Sequence, residues 1–228
     1  MYVLGIDTST MTGGVALLSN ETLVGESLLN IRTTHSERLL PALEELLGHS
    51  GVQMEELGLI SVVTGPGSFT GLRIGMATAK GFSFARKTPL VGVTTLEAYG
   101  WQFKFFPGIV VSLVDARRKT AFWQAFREGN ALNEPSYGTL QDVIAWCLAQ
   151  KNQEFLFVGD GAVNYAQEIK ASLPRAILPD APQSLLRPSA TAHLGYIRYL
   201  AGEVHDAFSL NPTYMRQTEA ERKWQDKA

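Results

Sequence analysis

A glycine-rich turn that leads directly into a helix is the segment of this sequence best suited to chemistry. Residues 65–75 have the sequence Gly-Pro-Gly-Ser-Phe-Thr-Gly-Leu-Arg-Ile-Gly and follow an apolar run. Glycine permits a positive φ and the proline fixes one bend, so we expect a tight turn, with Ser68 or Thr70 capping the helix. Backbone N–H groups at the start of a helix attract anions. The turn at Gly65 and Gly67 is therefore a candidate phosphate site.

An aspartate ends an apolar strand in each half of the chain. Residues 4–7 are Leu-Gly-Ile-Asp and residues 112–115 are Ser-Leu-Val-Asp, and a second Gly-X-Gly turn lies at 159–161. The spacing from aspartate to turn differs between the halves, which indicates a repeat of architecture rather than of sequence. Asp115 and Asp160 are also candidates for an acid–base pair, although the sequence does not set their separation.

Both halves predict the element order β-β-β-α-β-α-β-α. We therefore predict an α/β protein of two tandem actin-like or Hsp70-like (ribonuclease H-like) lobes, each a mixed sheet flanked by helices. The N-terminal lobe is predicted at 1–106, the C-terminal lobe at 107–210 and a tail at 211–228. The predicted strands are 2–6, 13–18, 23–29, 59–64, 90–93, 109–114, 120–126, a weak one after 129–130, 155–158 and 176–178. The first predicted helix starts at 34, or later because of Pro41. The other predicted helices span about 68–86, 95–105, 139–150, 164–173 and 189–208.

The helix that follows the first glycine turn has a ridge almost without side chains. Small residues recur every four positions in two sets: Gly71, Gly75, Ala79 and Ser83, and Ala77, Gly81 and Ala85. Each interior glycine costs about 1 kcal/mol relative to alanine, so we expect another element to approach the ridge closely. Two interpretations remain open for the first set, namely tight packing on its own sheet and a surface for a second subunit.

The composition suits one large domain or two smaller ones with a sizeable core. The chain has 228 residues, of which 45% are hydrophobic and 18% charged. Its net charge of -2 argues against wholesale nucleic-acid binding. The single cysteine, Cys147, lies in an apolar helical run and is expected to be a buried thiol. Since no apolar run reaches the length of a membrane span and the N-terminus lacks a signal-peptide pattern, we expect a cytoplasmic protein without membrane contact.

Several motifs resemble those of a known bacterial family. The strand-end aspartates and glycine turns are similar to those of the actin, sugar-kinase and Hsp70 superfamily, in which the aspartate holds Mg²⁺ through water and the turns hold nucleotide phosphates. Within that superfamily the chain resembles the TsaB family, also called YeaZ. The motifs that carry the resemblance are 4–9 (Leu-Gly-Ile-Asp-Thr-Ser), 34–37 (Thr-His-Ser-Glu), 39–41 (Leu-Leu-Pro), 65–75 and 211–216 (Asn-Pro-Thr-Tyr-Met-Arg).

The resemblance implies a partner subunit without catalytic residues. It would bind and activate a TsaD-type subunit, which makes N6-threonylcarbamoyladenosine at a tRNA adenine next to the anticodon. A TsaE-type ATPase would join the complex, tRNA would be bound only through the complex, and the chain alone would form a homodimer through its N-terminal lobe. The predicted partner interface is Leu39, Leu43, Leu46, Gly71, Gly75, Ala79 and Ser83. Gly75→Leu is then expected to block association without unfolding the lobe.

The positions of the histidines and glycines argue against a catalytic centre. TsaD-type proteins bind a metal through histidines at i and i+4, which share one helix face. The residues four positions after the histidines here are Leu39, Gln53, Ile197 and Ser209. We therefore predict no metal, and a local hydrogen-bonding role for His35.

The superfamily's late Gly-Gly adenosine turn is also absent from the sequence, because the one Gly-Gly pair is at 13–14. We therefore predict no cofactor, with weak nucleotide binding left open. The degenerate phosphate-site candidates are Asp7, Gly65, Gly67, Asp160 and Gly161.

Three other functions remain as alternatives. A small acyl or sugar kinase of the same superfamily would bind nucleotide as the isolated chain. A metallopeptidase would bind a metal ion. A direct tRNA-binding module would show steeply salt-dependent binding.

Overall fold

The first half of the chain forms a five-stranded mixed sheet in the computed structural model, which describes residues 1–31, 34–180, 182–213 and 215. Its strands are β1 (Tyr2–Asp7), β2 (Gly13–Ser19), β3 (Thr22–Leu29), β4 (Leu57–Gly65) and β5 (Leu90–Thr94). The order is β3-β2-β1-β4-β5. β1, β4 and β5 run parallel, and β2 runs antiparallel to both of its neighbours. The buried apolar runs predicted these five strands to within a few residues.

Three helices belong to this half of the chain: α1 (His35–Ser50), α2 (Phe69–Arg86) and α3 (Thr95–Gln102). The predicted capping box of α1 is present, with Thr34 and Glu37 capping each other. The helix begins at His35 and continues through Pro41, so it does not start later. The proline and Glu37, whose carbonyl loses its partner, are both exposed, and water can satisfy that carbonyl. Of the two cap candidates for α2, Ser68 is the N-cap.

The second half forms a second mixed sheet. Its strands are β6 (Ile109–Asp115), β7 (Thr120–Arg127), β8 (Asn130–Ala131), β9 (Ser136–Thr139) and β10 (Phe155–Val158), in the order β10-β6-β7-β8 with β9 also on β7. The weak third strand is split into β8 and β9, because Asn133 turns inward and its side chain accepts a hydrogen bond from the Ala125 N–H at 2.8 Å. The strand predicted at 176–178 is reduced to one bridge between Ile177 and Leu156.

Four helices follow in this half: α4 (Leu140–Ala149), α5 (Asp160–Asn164), α6 (Ala166–Ser172) and α7 (Pro188–Leu200). The predicted helix 164–173 begins earlier and is broken at Tyr165. The predicted helix 189–208 ends at Leu200, since Gly202 adopts a φ of 93°. The chain then returns to the first sheet, where His205 pairs with Leu90.

α7 lies against the N-terminal sheet, although it follows the second half in sequence. The hydroxyl of Ser61 on β4 donates to the carbonyl of Thr191 at 2.7 Å. A Cβ on Gly195 would lie 2.1 Å from the hydroxyl oxygen of that same serine. The last helix of the predicted lobe at 107–210 therefore covers the first sheet.

Within the described ranges, no helix has the length and hydropathy needed to cross a bilayer. The thiol of Cys147 is buried, as predicted.

Candidate functional site

The end of β1 places a carboxylate in a fully buried position. Asp7 is 0% exposed, and its Oδ1 accepts a hydrogen bond from the Ser9 N–H at 2.8 Å. Its Oδ2 and the Ser9 hydroxyl have no hydrogen-bond partner in the described part of the chain. Burial raises the pKa of Asp7 to about 6, against the lowering effect of the hydrogen bond from the Ser9 N–H. This buried carboxylate is therefore costly to ionise, and nothing described here compensates it fully.

The glycine turn that ends β4 lies directly against the loop after β1. Gly65 has a φ of 123°, a backbone angle that residues with a side chain rarely adopt. A Cβ on Gly67 would lie 2.1 Å from the carbonyl oxygen of Ser9. That carbonyl accepts a hydrogen bond from the Ser68 N–H at 2.6 Å. The glycines thus allow a close approach of the chain to itself, which accounts for this turn without a phosphate.

A segment near the C-terminus covers the same turn. The Thr213 N–H donates to the carbonyl of Thr64 at 2.8 Å. The carbonyl oxygen of Thr213 lies 2.9 Å from the position of a Cβ on Gly65. At the start of α2, the Gly71 N–H already donates to the Ser68 hydroxyl at 3.2 Å. The predicted phosphate cradle is therefore partly occupied by the protein's own groups.

The second strand-end aspartate is satisfied within its own half. Asp115 accepts hydrogen bonds from the Tyr165 hydroxyl at 2.5 Å, from the Asn164 amide at 2.9 Å and from the Arg117 N–H at 2.7 Å. Its own N–H donates to Oδ1 of Asp160 at 2.9 Å. The structure thus brings together the two carboxylates whose separation the sequence could not set. With its oxygens already engaged, Asp115 is poorly placed to hold a hydrated Mg²⁺ ion.

The surroundings of Asp160 shift the pKa of its carboxyl group. Burial raises its pKa, and the charge of Asp115 adds to the rise, against hydrogen bonds that lower it. Gly161 provides no open cradle next to it, because a Cβ there would lie 2.9 Å from the carbonyl oxygen of Leu113.

Tyr99, which the sequence did not single out, lies between the two halves of the predicted site. It is 2% exposed, and its ring edge lies 3.4 Å from the position of a Cβ on Gly159. Burial raises the pKa of the phenol, and the charges of Asp160 and Asp7 raise it further. Both carboxylates therefore lie within electrostatic reach of one buried ring. Its helix was predicted, but no local pattern marks one aromatic residue as filling a cleft.

The predicted ridge on α2 faces its own sheet. A Cβ on Gly71 would lie 2.0 Å from the carbonyl oxygen of Thr8, and one on Gly75 would lie 2.3 Å from the Thr8 hydroxyl. Ala79 and Ser83 are buried on the same face. The interpretation of tight packing on its own sheet therefore applies to this ridge.

The three leucines assigned to the interface are buried as well. Leu39, Leu43 and Leu46 are 3%, 3% and 9% exposed and pack in the core under α1. The predicted interface of seven residues is thus corrected: in this chain they form the core rather than an exposed surface. An apolar stripe on a helix marks the face that packs, and here it packs on the protein's own sheet.

The second set of small residues lies on the exposed face of α2. Ala77, Gly81 and Ala85 are all exposed, and nothing lies within 4 Å of the position of a Cβ on Gly81. Phe84 on the same helix is 68% exposed, and its ring meets Phe208 edge to face with the centroids 5.8 Å apart. This exposed face of α2, with Ala77, Gly81, Phe84 and Ala85, is named the outer α2 face.

A groove lies between α1 and residues 51–55, and Phe82 of α2 forms part of its wall. Its volume is about 460 Å³, and Leu40, Leu47, Met54 and Phe82 contribute apolar walls. Leu40 is 52% exposed. An open groove with apolar walls and a polar rim is a kind of surface at which another protein can bind.

His35 has the local role that the sequence predicted. Its Nε2–H donates to the carbonyl of Thr10 at 2.8 Å, and its Nδ1 accepts from Arg38 at 2.8 Å. Burial lowers the pKa of His35 against that hydrogen bond, and the charge of Arg38 lowers it further. In the described residues, no three His, Cys, Asp or Glu side chains cluster as metal ligands would.

Two mixed sheets of this topology, with an aspartate at the end of the first strand of each, define an actin-like ATPase fold. A family model described as "TsaD: tRNA N6-adenosine threonylcarbamoyltransferase" matches residues 30–224. The tRNA threonylcarbamoyladenosine biosynthesis protein TsaB of Bacillus subtilis (strain 168) is 33% identical over 228 residues, with 98% of each chain covered. The chain belongs to the TsaB family, which confirms the resemblance found in its motifs.

Solved structures agree with this assignment. YeaZ from Pseudomonas aeruginosa matches with a TM-score of 0.77 and 25% identity, covering 94% of this chain and 99% of that one. An activator of 2-hydroxyisocaproyl-CoA dehydratase from Clostridium difficile, solved with bound ADPNP, matches with a TM-score of 0.53 and 13% identity, covering 89% and 97% of the two chains. The second likeness shows the fold alone. The predicted fold class is confirmed.

Proposed function

We propose that this chain is a non-catalytic partner subunit in the biosynthesis of N6-threonylcarbamoyladenosine on tRNA, and that it binds and activates a TsaD-type threonylcarbamoyltransferase. The name of the Bacillus subtilis relative supports the role in this pathway. The match to a TsaD family model supports a partner with the same fold. Two proteins of one fold can meet through equivalent helices, as the subunits of a symmetric dimer do.

The observation that supports the non-catalytic role is that the protein's own groups already occupy the ends of β6 and β4. Asp115 already accepts hydrogen bonds from Tyr165, Asn164 and Arg117. Thr213 lies over the Gly65 turn. A nucleotide with its metal would have to displace these contacts. The contacts therefore favour a structural role for the cleft over phosphoryl transfer.

The outer α2 face is our proposed contact with the TsaD-type subunit. It combines small residues, which let a second helix approach closely, with the exposed ring of Phe84. Aromatic residues are enriched at the centres of protein interfaces. The same face would form a homodimer when the chain is alone, so partner and homodimer would compete. A TsaE-type ATPase and tRNA would join through the assembled complex.

Gly81→Glu is expected to weaken association with the TsaD-type subunit at least tenfold while the chain stays folded. The new side chain enters open space, because nothing lies within 4 Å of that Cβ position. In the complex it would place a charge in a buried helix contact, which costs more than the ~1.4 kcal/mol that a tenfold change requires. Light scattering after size exclusion, with the chain alone and mixed with its partner, measures this.

Ala145→Glu on the exposed side of α4 is the matched control, since it adds the same charge to a helix of the other half. It should assemble as the unaltered chain does. Unchanged assembly of Gly81→Glu would remove the outer α2 face from the proposal. Failure of the unaltered chain to bind the partner at all would overturn the proposed function.

One observation favours the kinase alternative. The Oδ2 of Asp7 and the Ser9 hydroxyl have no partner among the described residues, and they lie at the strand end that the superfamily resemblance associates with Mg²⁺. Titration calorimetry with Mg²⁺–ATP, on the chain alone and in the complex, tests it. We propose weak or no binding in both, and micromolar binding by the chain alone would favour the kinase.

A further inference from the structure

The turn between β6 and β7 consists of three consecutive basic residues in the left-handed conformation. Arg117, Arg118 and Lys119 have φ values of 67°, 54° and 60°. A positive φ is uncommon for any residue other than glycine, and a run of three is strained. We call residues 117–119 the basic turn. Because glycine or asparagine would fit this backbone better, the three cationic side chains call for another explanation.

Hydrogen bonds from inside the protein hold the basic turn in place. The Arg117 N–H donates to Asp115, which is itself fixed by Tyr165 and Asn164. The Thr120 N–H closes the turn by donating to the carbonyl of Arg117 at 3.1 Å. The turn therefore presents its side chains from a rigid base, which lowers the entropy cost of binding a ligand.

The cationic side chains of the basic turn make few ion pairs with the described residues. All three residues are exposed. Across the described residues, Arg117 and Arg118 have no carboxylate within 4 Å, and Lys119 has only a loose pair with Glu168 at 3.8 Å. By contrast, Arg86, Arg187 and Arg198 each pair with a glutamate. In a chain of net charge -2, the basic turn thus places three cationic side chains together on the surface, with Asp115 at its base and Glu168 near Lys119.

An exposed aromatic ring lies beside the basic turn. Tyr137 on β9 is 43% exposed, and its ring packs against Phe122 with the centroids 5.3 Å apart. Phe122 and Tyr137 are register partners, two residues along from the pair of Thr120 and Thr139 that adjoins the turn. Cations that reach phosphates, next to an aromatic face on which a base can stack, are the usual elements of a surface for unpaired RNA.

We infer that the basic turn binds the phosphate backbone of RNA, and that a neighbouring base stacks on the exposed part of the Tyr137 ring. In the proposed function, on which this inference rests, that RNA is the tRNA held by the assembled complex. Three cations contribute too little for tight binding by one chain alone. The turn would therefore add to binding in the complex, which agrees with the overall acidic charge. An acidic protein surface is the other ligand that the basic turn could bind. The nearby ring of Tyr137, on which a base can stack, favours RNA over that surface.

The test compares the double variant Arg117→Gln/Arg118→Gln with the unaltered chain, each assembled with its TsaD-type partner. Binding of an in vitro transcribed tRNA is followed by fluorescence anisotropy from about 50 to 200 mM salt, the range over which phosphate contacts respond strongly. We expect the slope of log K against log salt to become shallower by about one per lost contact, or about two in total. Binding at the lowest salt should weaken about tenfold or more. Arg175→Gln, an exposed arginine elsewhere in the second half, should change neither quantity.

Each outcome bears on a different claim. An unchanged salt slope in the double variant overturns the inference. Loss of partner assembly by the double variant, with tRNA binding intact, also overturns it. That second result would show that the basic turn binds an acidic protein surface. If the unaltered chain does not assemble with the partner, the proposed function fails. The same titration on the isolated chain at about 50 mM salt, where phosphate contacts are strongest, then decides whether the basic turn binds RNA.

Discussion

Gly71→Ala is expected to lower the free energy of unfolding by about 3 kcal/mol, which is large for a single added methyl group. The new Cβ would lie 2.0 Å from the carbonyl oxygen of Thr8, and both atoms belong to packed backbone. α2 and the end of β1 would have to separate. The hydrogen bond from the Thr8 hydroxyl to the Gly71 carbonyl, now 2.8 Å long, would be strained or lost.

Gly81→Ala is the matched control on the same helix. Nothing lies within 4 Å of its Cβ position, so only helix propensity changes, and stability should rise by about 1 kcal/mol. Urea unfolding of the two variants and the unaltered chain gives both values. If Gly71→Ala and Gly81→Ala changed the free energy of unfolding by similar amounts, the packing of the ridge on Thr8 would be contradicted.

Gly75→Leu, at first expected to block association in a folded lobe, is now expected to destabilise the fold. Its Cβ would meet the Thr8 hydroxyl at 2.3 Å.

The small-residue ridge shows what a helical period can and cannot predict. The spacing of Gly71 and Gly75 correctly indicated a close approach by another element. It could not say which element, because periodicity defines a face of a helix and not what lies against that face. The outer face with Gly81 has the same spacing, and only the three-dimensional structure separates the buried set from the exposed one.

Long-range placement was the other part that the sequence could not predict. The strands and their order along the chain followed from apolar runs and short connections, which are local features. The position of α7 on the first sheet depends on contacts such as Ser61 with Thr191, far apart in sequence. The engagement of Asp115 by Tyr165 and Asn164 is of the same kind. Local patterns predicted where the candidate site residues lie, but not whether those residues are still open to a ligand.

Asp7→Asn is expected to stabilise the protein at neutral and higher pH. Burial raises the pKa of Asp7 to about 6 in the folded protein, from 3.8. The folded state therefore holds this proton more tightly than the unfolded state. Stability rises as the pH falls from above 6 towards 4, and it is lowest where Asp7 is ionised. A shift of about two units corresponds to about 3 kcal/mol, which sets the largest gain that the variant can show.

The gain should be visible in urea midpoints at pH 8 and should shrink as the pH approaches 4. The asparagine keeps an oxygen that can accept from the Ser9 N–H, so the loop after β1 should hold its conformation. Asp180→Asn, at an exposed position, controls for the change in net charge and should show no such pH-dependent gain. A loss of stability at pH 8 would mean that the ionised carboxylate is compensated by a group outside the described residues.

The same variant separates a vestigial site from a working one. If the carboxylate no longer serves a nucleotide, the complex with the TsaD-type partner should modify tRNA at close to the normal rate when it contains Asp7→Asn. A complex that assembles normally and loses modification would instead show that the carboxylate works in the reaction. That result would require a nucleotide to displace Thr213 from the Gly65 turn, since the turn is covered in the structure. A variant Asp7→Asn that gains stability but loses tRNA modification would therefore show that the buried carboxylate is retained for function at a cost in stability.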